Sequence, residues 1–366
     1  MTSPASTLDS SRPVRPGEEL DAAALARWLA GAAPDFAPSP IDIEQFPRGF
    51  SNLTYLLRLP GDRELVLRRP PKGVKKGSAH DMGREFRILR ALHARGGKVP
   101  RPVGHCDDES VLGAPFYVME RVRGLILRAA PPPGVPLTPA VMQGLSASFV
   151  DAMLEIHRTP LDAEGVRELG NPEGYVQRQV QGWAKRYRAA ATDPIADMET
   201  LAAWLDANRP GEWGAALIHN DFKYDNMVLD PADPTRILAV LDWEMATLGD
   251  PLMDLGTTLA YWVDADDPPE LRALGLGITA LPGNLTRAGL WARYGALAGR
   301  PLGNPGFYYA FGLFKLAVIA QQIYTRYKAG LTTDERFGAL IDAVRALAAM
   351  GNRVAAIGRV SHLAGE

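Results

Sequence analysis

LIHNDFKYDNMVLDPADPTRILAVLDW, residues 217–243, decides the reading of this chain. Ala215 to Ile218, Met227 to Leu229 and Ile237 to Leu241 are short apolar runs that read as strands. Asp230-Pro231-Ala232-Asp233-Pro234 is the turn between the last two. The loop after the first strand carries His219, Asp221 and Asn226, and Asp242 closes the third strand. The order His-x-Asp-x-x-x-x-Asn is the one that phosphoryl transfer from ATP requires. Asp221 is placed to accept the proton of an attacking hydroxyl, or to hold it in line with the leaving phosphate. Asn226 offers an amide oxygen and Asp242 a carboxylate, both suited to hard magnesium ions. Asp242 lies sixteen residues after Asn226, so a hairpin of that length returns it beside the loop. Each of these residues alone is an ordinary turn former; their joint spacing between apolar strands is what sets them apart. His219 reads as a brace for the loop rather than a proton carrier.

Bulk composition fits this chemistry and excludes others. A chain of 366 residues suits two lobes, with 46% hydrophobic and 22% charged residues as in globular proteins at large. A net charge of −2 gives no footprint for a nucleic acid. Cys106 is the only cysteine, which excludes an internal disulfide and favours a reducing, cytoplasmic setting. Residues 1–17 are rich in Ser, Pro and Ala and read as a disordered leader rather than a signal peptide. Phe307 to Ile323 is the longest apolar stretch, but Gly312 and Lys315 interrupt it, so it reads as a buried helix and not a membrane span.

The N-terminal part, residues 18–121, reads as a small sheet with one main helix. A short amphipathic helix covers Asp21 to Ala30, capped by Asp21 and stopped by Gly31. Ile41 to Phe46, Leu53 to Leu59, Glu64 to Arg69 and Phe116 to Val122 are strand-like, and Ser78 to Leu92 has helical apolar spacing. Residues 122–366 read as mostly helical: Thr138 to His157, Asn171 to Ala191, Ile195 to Asn208, then roughly 251–263, 285–299, 304–328 and 332–350. Asp250 precedes Pro251 and is a natural helix cap, and Asp254 one turn later can bond back to the loop.

The nucleotide side is read from weaker signals. Gly49-Phe50-Ser51-Asn52 turns between two strands, where backbone amides and the Ser51 hydroxyl can cover phosphates; Asn52 belongs to the same turn. Arg68 stands on the strand that in kinases carries a lysine, and Glu85 on the next helix is its expected partner. Glu120 and Val122 end a strand where the lobes join, so their backbone groups are candidates for an adenine edge.

These segments together resemble the aminoglycoside phosphotransferase and choline kinase-like small-molecule kinases, closest to the kinase-like domain fused to some acyl-CoA dehydrogenases. The resemblance rests on GFSNLTYLL (49–57), VLRRPP (66–71), HDMGREFRIL (80–89), FYVMERVRG (116–124), HNDFKYDN (219–226), LDWE (241–244) and GDPLMDLG (249–256). It implies a bilobal α+β protein-kinase-like fold, with a small antiparallel sheet in the first lobe and a helical second lobe. It further implies ATP, Mg2+ and transfer of the γ-phosphate to a small-molecule hydroxyl, with Asp221 as base and Asn226 and Asp242 as metal ligands. Trp243-Glu244 follows the closing carboxylate, and no Ala-Pro-Glu segment follows it, which disfavours a protein kinase. Residues 255–366 hold eleven Lys and Arg against eight Asp and Glu, so a polycationic aminoglycoside is a poor acceptor here. A neutral or anionic acceptor, such as a hydroxy acid or its thioester, fits better, with Arg178, Arg186, Lys315 and Arg326 as candidate contacts. A nucleotide-binding scaffold with little transfer activity is the alternative, favoured only by Arg68 in the lysine position.

Overall fold

The computed structural model describes residues 10–36, 40–47, 52–71, 81–332 and 334–363. The chain divides into two compact units: Met1–Ile126 with Asp162–Leu169 and Asn226–Ala246, and Leu127–Leu161 with Gly170–Asp225 and Thr247–Glu366.

The first unit is built on a six-stranded antiparallel sheet, in the order β1-β2-β3-β4-β6-β5. Its strands are β1 (Arg12–Pro13), β2 (Asp42–Gln45), β3 (Leu53–Leu59), β4 (Arg63–Arg69), β5 (Pro102–Cys106) and β6 (Phe116–Glu120). Alternation along the strands sorts side chains between two faces. Tyr55, Leu57, Leu65, Leu67, Phe116 and Val118 pack with Leu25 and Leu29 of helix α1 (Ala22–Ala32). Arg68, one step out of phase, reaches Glu85 of helix α2 (Met82–His93). Asp21 caps α1 by accepting from the amides of Ala23 and Ala24. The short helix α3 (Glu109–Leu112) precedes β6.

Several boundaries differ from the sequence expectation. α1 continues through Gly31 to Ala32, because a glycine with a solvent-facing helical position costs less than the packing of the turn contributes. Ser78 to His80 lie outside the described residues, and α2 begins after Asp81, whose carboxylate accepts from the Arg84 amide. β5 was not expected: Pro102 and Gly104 break its pattern, and its register with β6 shifts at that point. Within 1–17, expected as a leader, residues 1–9 lie outside the described residues, whereas Arg12 and Pro13 pair with Gln45 and Glu44 as an edge strand. That edge is held by side chains, the Arg15 amide donating to Gln45 Oε1 at 3.0 Å. The same unit contains the hairpin of β8 (Met227–Leu229) and β9 (Ile237–Val240).

The second unit is mostly helical. Its one small sheet pairs β7 (Ala216–Ile218) with β10 (Thr247–Gly249) antiparallel; β10 is too short to show a period in the sequence. Around it lie α4 (Pro139–His157), α5 (Tyr175–Ala190), α6 (Ala196–Ala207), α7 (Pro251–Tyr261), α8 (Pro269–Arg272), α9 (Arg287–Ala298), α10 (Gly306–Lys328) and α11 (Leu340–Ile357). α10 is the buried helix expected from its composition, and no helix among the described residues is long and apolar enough to cross a membrane.

α7 and α10 touch through glycine. A Cβ on Gly312 would lie 2.3 Å from the Gly256 carbonyl oxygen, and one on Gly256 would lie 2.4 Å from the Tyr308 carbonyl oxygen. Both obstacles are backbone, which cannot swing aside. Gly312→Ala is therefore expected to destabilise the protein by about 1–3 kcal/mol, read as a lowered urea midpoint with unchanged slope. A surface control, Gly182→Ala, has open space around its Cβ and should not destabilise.

Candidate active site

The loop after β7 lies in the second unit and is gripped from several sides. Asp250 caps α7, accepting from the Leu252 amide at 2.8 Å, with Pro251 in the first turn. One turn on, Asp254 is fully buried, and its two oxygens accept from the amides of His219 and Asn220, each at 2.7 Å. This is the back-bond the sequence suggested. His157 of α4 was not foreseen: its Nε2 lies 3.0 Å from Asp254 Oδ2, and its Nδ1 lies 2.7 Å from the Tyr294 hydroxyl. Since a carboxylate only accepts, Nε2 is the donor in the bond to Asp254. Burial pushes the Asp254 carboxyl up, but the His157 bond and the loop amides outweigh it and hold it below the usual range.

His219 is buried, and its Nδ1 accepts from the Asp221 amide at 3.2 Å. The ring is thereby placed as a brace of the loop. Asp221 pairs with Lys223 at 3.0 Å, and the Lys223 ammonium also lies 4.6 Å from the Tyr261 ring centroid. Lys223 was missed by the sequence reading; its position two residues after Asp221 was the available signal. Lys315, expected as an acceptor contact, is instead buried beneath the loop, donating to the Asn220 carbonyl at 3.0 Å. Burial pushes its ammonium down to about 8, against the pull of Asp254 and Asp221. Arg178 is occupied by the carbonyls of Asn171 and Glu173. Arg186 is exposed and lies over the Trp183 ring, 4.5 Å from its centroid. Arg326 is exposed near the end of α10.

The first unit gathers a second cluster. Arg68 is paired with Glu85 at 2.5 Å, with Asp242 at 3.2 Å and with Glu244 at 3.6 Å. Burial disfavours its charge, yet Glu85 above all, and then Asp242 and Glu244, raise it well above the ordinary arginine value. Glu85 is itself raised by burial, with Arg68 opposing. The sequence expected the Arg68–Glu85 pair, but not the approach of Asp242 or of Glu244, which accepts from the Asn52 side-chain amide at 2.9 Å. Asn226 is set at the same end of the β8–β9 hairpin as Asp242: its carbonyl accepts from the Leu241 amide at 2.8 Å. Asp242 adopts a left-handed φ of 66°, an uncommon conformation for a non-glycine residue.

Among the described residues, no three His, Cys, Asp or Glu side chains form a closed metal cage. Magnesium does not need one: it is held by one or two carboxylates plus phosphate oxygens, with water completing its shell. The carboxylates of Glu85, Asp242 and Glu244 around one arginine leave negative charge for such an ion to neutralise. Glu120 and Val122 divide. The Glu120 amide is taken by the Arg101 carbonyl at 2.8 Å, whereas the Val122 main chain has no hydrogen-bond partner among the described residues. Gly49, Phe50 and Ser51 lie outside the described residues.

A family model described as "Phosphotransferase enzyme family" matches residues 42–291, and the chain belongs to that family. Acyl-CoA dehydrogenase family member 10 of Mus musculus is 37% identical over 344 residues, covering 93% of this chain and 32% of its own length. The chain thus spans about a third of that relative. A Ralstonia eutropha crystal structure, named as a candidate aminoglycoside phosphotransferase, superposes with a TM-score of 0.78 at 33% identity, covering 92% of this chain and 99% of that one. The GDP complex of aminoglycoside 2'-phosphotransferase-IIIa has a TM-score of 0.60 at 15% identity over 90% of this chain and 99% of that one, a likeness of fold. The chain has the bilobal kinase-like α+β fold, with its antiparallel sheet in the N-terminal part, and is a small-molecule phosphotransferase.

The Arg68 cluster makes a stability prediction. Arg68→Met leaves the buried Glu85 carboxylate without its partner, which costs about 3–5 kcal/mol. Adding Glu85→Gln should recover much of that loss. Urea denaturation of the four species of this cycle measures the coupling; additive losses would refute it.

Proposed function

We propose that this chain transfers the γ-phosphate of ATP to a hydroxyl of a small molecule, with Asp221 as the base that accepts or orients the hydroxyl proton. The observation that carries this reading is the grip on the Asp221 loop: Asp254 holds its backbone through two amides, and His219 accepts from the amide of Asp221 itself. So much structure around one carboxylate fits a group that must be held in line with a reacting phosphate. Asn226 and Asp242 hold Mg2+ in this reading, with Glu244 close enough to Arg68 to assist, and the ion supplies charge neutralisation on the phosphates. Arg68 orders these carboxylates through ion pairs. The unpaired Val122 main chain supports an adenine edge. The GDP in the 2'-phosphotransferase-IIIa structure supports a nucleotide as donor.

The acceptor is neutral or anionic, a hydroxy acid or its thioester. Lys223, Lys315 and Arg186 all belong to the second unit, and Asp221 and Asp254 are the acids that act on Lys315. A polycation brought to Asp221 would meet repulsion from these cations. The protein acts on free small molecules in a reducing, cytoplasmic setting, in keeping with its single, buried cysteine and its small net charge.

Purified protein with Mg-ATP and a panel of hydroxylated acceptors tests the proposal. Asp221→Asn should lower turnover of the accepted substrate about 1000-fold. Turnover of kanamycin with none of any hydroxy acid or thioester would sink the acceptor class. Equal residual ATP hydrolysis by wild type and Asp221→Asn would favour a nucleotide-binding scaffold instead.

A further inference from the structure

Lys315 is an unusual residue for its place. It lies in the middle of α10, 3% exposed, and among the described residues no carboxylate is within ion-pair distance of its ammonium. A buried ammonium without a direct counter-ion is costly, and an apolar side chain of similar length would fill the same space at less cost. Its hydrogen bonds are spent on one residue: Nζ donates to the Asn220 carbonyl at 3.0 Å and reaches Asn220 Oδ1 at 3.4 Å. Asn220 has a φ of 66°, so the chain turns sharply there.

The Asn220 carbonyl and the Asp221 amide are the two ends of one peptide group. Lys315 holds the carbonyl end, and His219 Nδ1 accepts from the amide end at 3.2 Å. The amide end of Asn220 itself is held by Asp254 at 2.7 Å. Because a peptide group is rigid and planar, fixing both its ends fixes the direction from which the Asp221 side chain departs. Asp254 stands on α7 and Lys315 on α10, and these two helices meet through Gly256 and Gly312. An acid from one helix and a base from the other therefore clamp the same turn.

We propose that Lys315 is a positioning residue for Asp221, fixing the Asn220–Asp221 peptide from its carbonyl side so that the carboxylate is aimed at the reacting hydroxyl. This rests on the reading of Asp221 given above and adds a second support to it, from a helix remote in sequence. A side chain retained only for stability would behave differently: its removal would lower stability and leave the rate per folded molecule unchanged.

The test uses Mg-ATP with water as acceptor, so that no acceptor need be known. Lys315→Met should lower the rate of ATP hydrolysis roughly 100-fold, with the KM for ATP within about twofold of wild type. The melting temperature should stay the same or rise. In an Asp221→Asn background the same substitution should have no further effect on rate, since the carboxylate being aimed is gone. A Lys315→Met rate within about twofold of wild type, or equal losses in both backgrounds, overturns the proposal while leaving Asp221 in its role. A lost rate matched by an equally weakened ATP affinity also overturns it. If wild type hydrolyses ATP no faster than Asp221→Asn, the role of Asp221 fails and the role of Lys315 fails with it. Should Lys315→Met not fold, Lys315→Leu, which also removes the donor, is judged by the same criteria.

Discussion

One buried carboxylate organises the second unit. Asp254 is removed from water, which by itself would favour its neutral form. It stays ionised because three donors point at it: the amides of His219 and Asn220 and the imidazole of His157. Hydrogen bonds to a charged group contribute about 1.5–3 kcal/mol each, enough in sum to offset the cost of burial. Its folded carboxyl is therefore more acidic than an unfolded one, and the stability it contributes is present at neutral pH and lost as pH falls through the depressed folded value. The segment that supplies it, Gly249 to Gly256, does three jobs in eight residues. Asp250 starts the helix, Asp254 holds the loop, and Gly256 admits α10 to backbone contact.

The first unit solves a different electrostatic problem. Arg68 faces Glu85, Asp242 and Glu244, an excess of negative charge that one guanidinium does not balance. A planar fork can address several carboxylates at once, where an ammonium acts as a point charge. That gives a physical reason for arginine to be compatible with a position where kinases carry lysine. A divalent cation would neutralise that excess, and the one guanidinium already offsets part of the repulsion between the carboxylates.

Much of this was legible in the sequence, and the rest was not, for identifiable reasons. β3, an apolar run bounded by turn residues, and β8, fixed by the turn after it, were read to the residue. The caps at Asp21 and Asp250 follow from side chains that bond locally, so they too were visible. β5 and β10 were hidden because proline, glycine and short length remove the period on which a strand is recognised. In the site, residues within one run, His219 and Asp221, Asn226 and Asp242, could be found from spacing. The meetings of His157 with Asp254, of Tyr294 with His157 and of Lys315 with the loop could not, because these three side chains come from separate helices and no local pattern encodes their approach. Lys315 was read in sequence as an acceptor contact; packing shows that it is buried against Asn220.

The likeness to aminoglycoside phosphotransferases does not carry the acceptor with it. A fold hosts many reactions, and specificity is set by the groups that line the acceptor side. The cations of the second unit include Lys223 beside Asp221 and the exposed Arg186 over Trp183. A polycationic acceptor gains affinity from carboxylates that replace its lost hydration, and each cation on the protein subtracts from that gain. For the neutral or anionic acceptor proposed above the balance is reversed: a carboxylate or phosphate would meet attraction from these cations, leaving the hydroxyl as the end to approach Asp221.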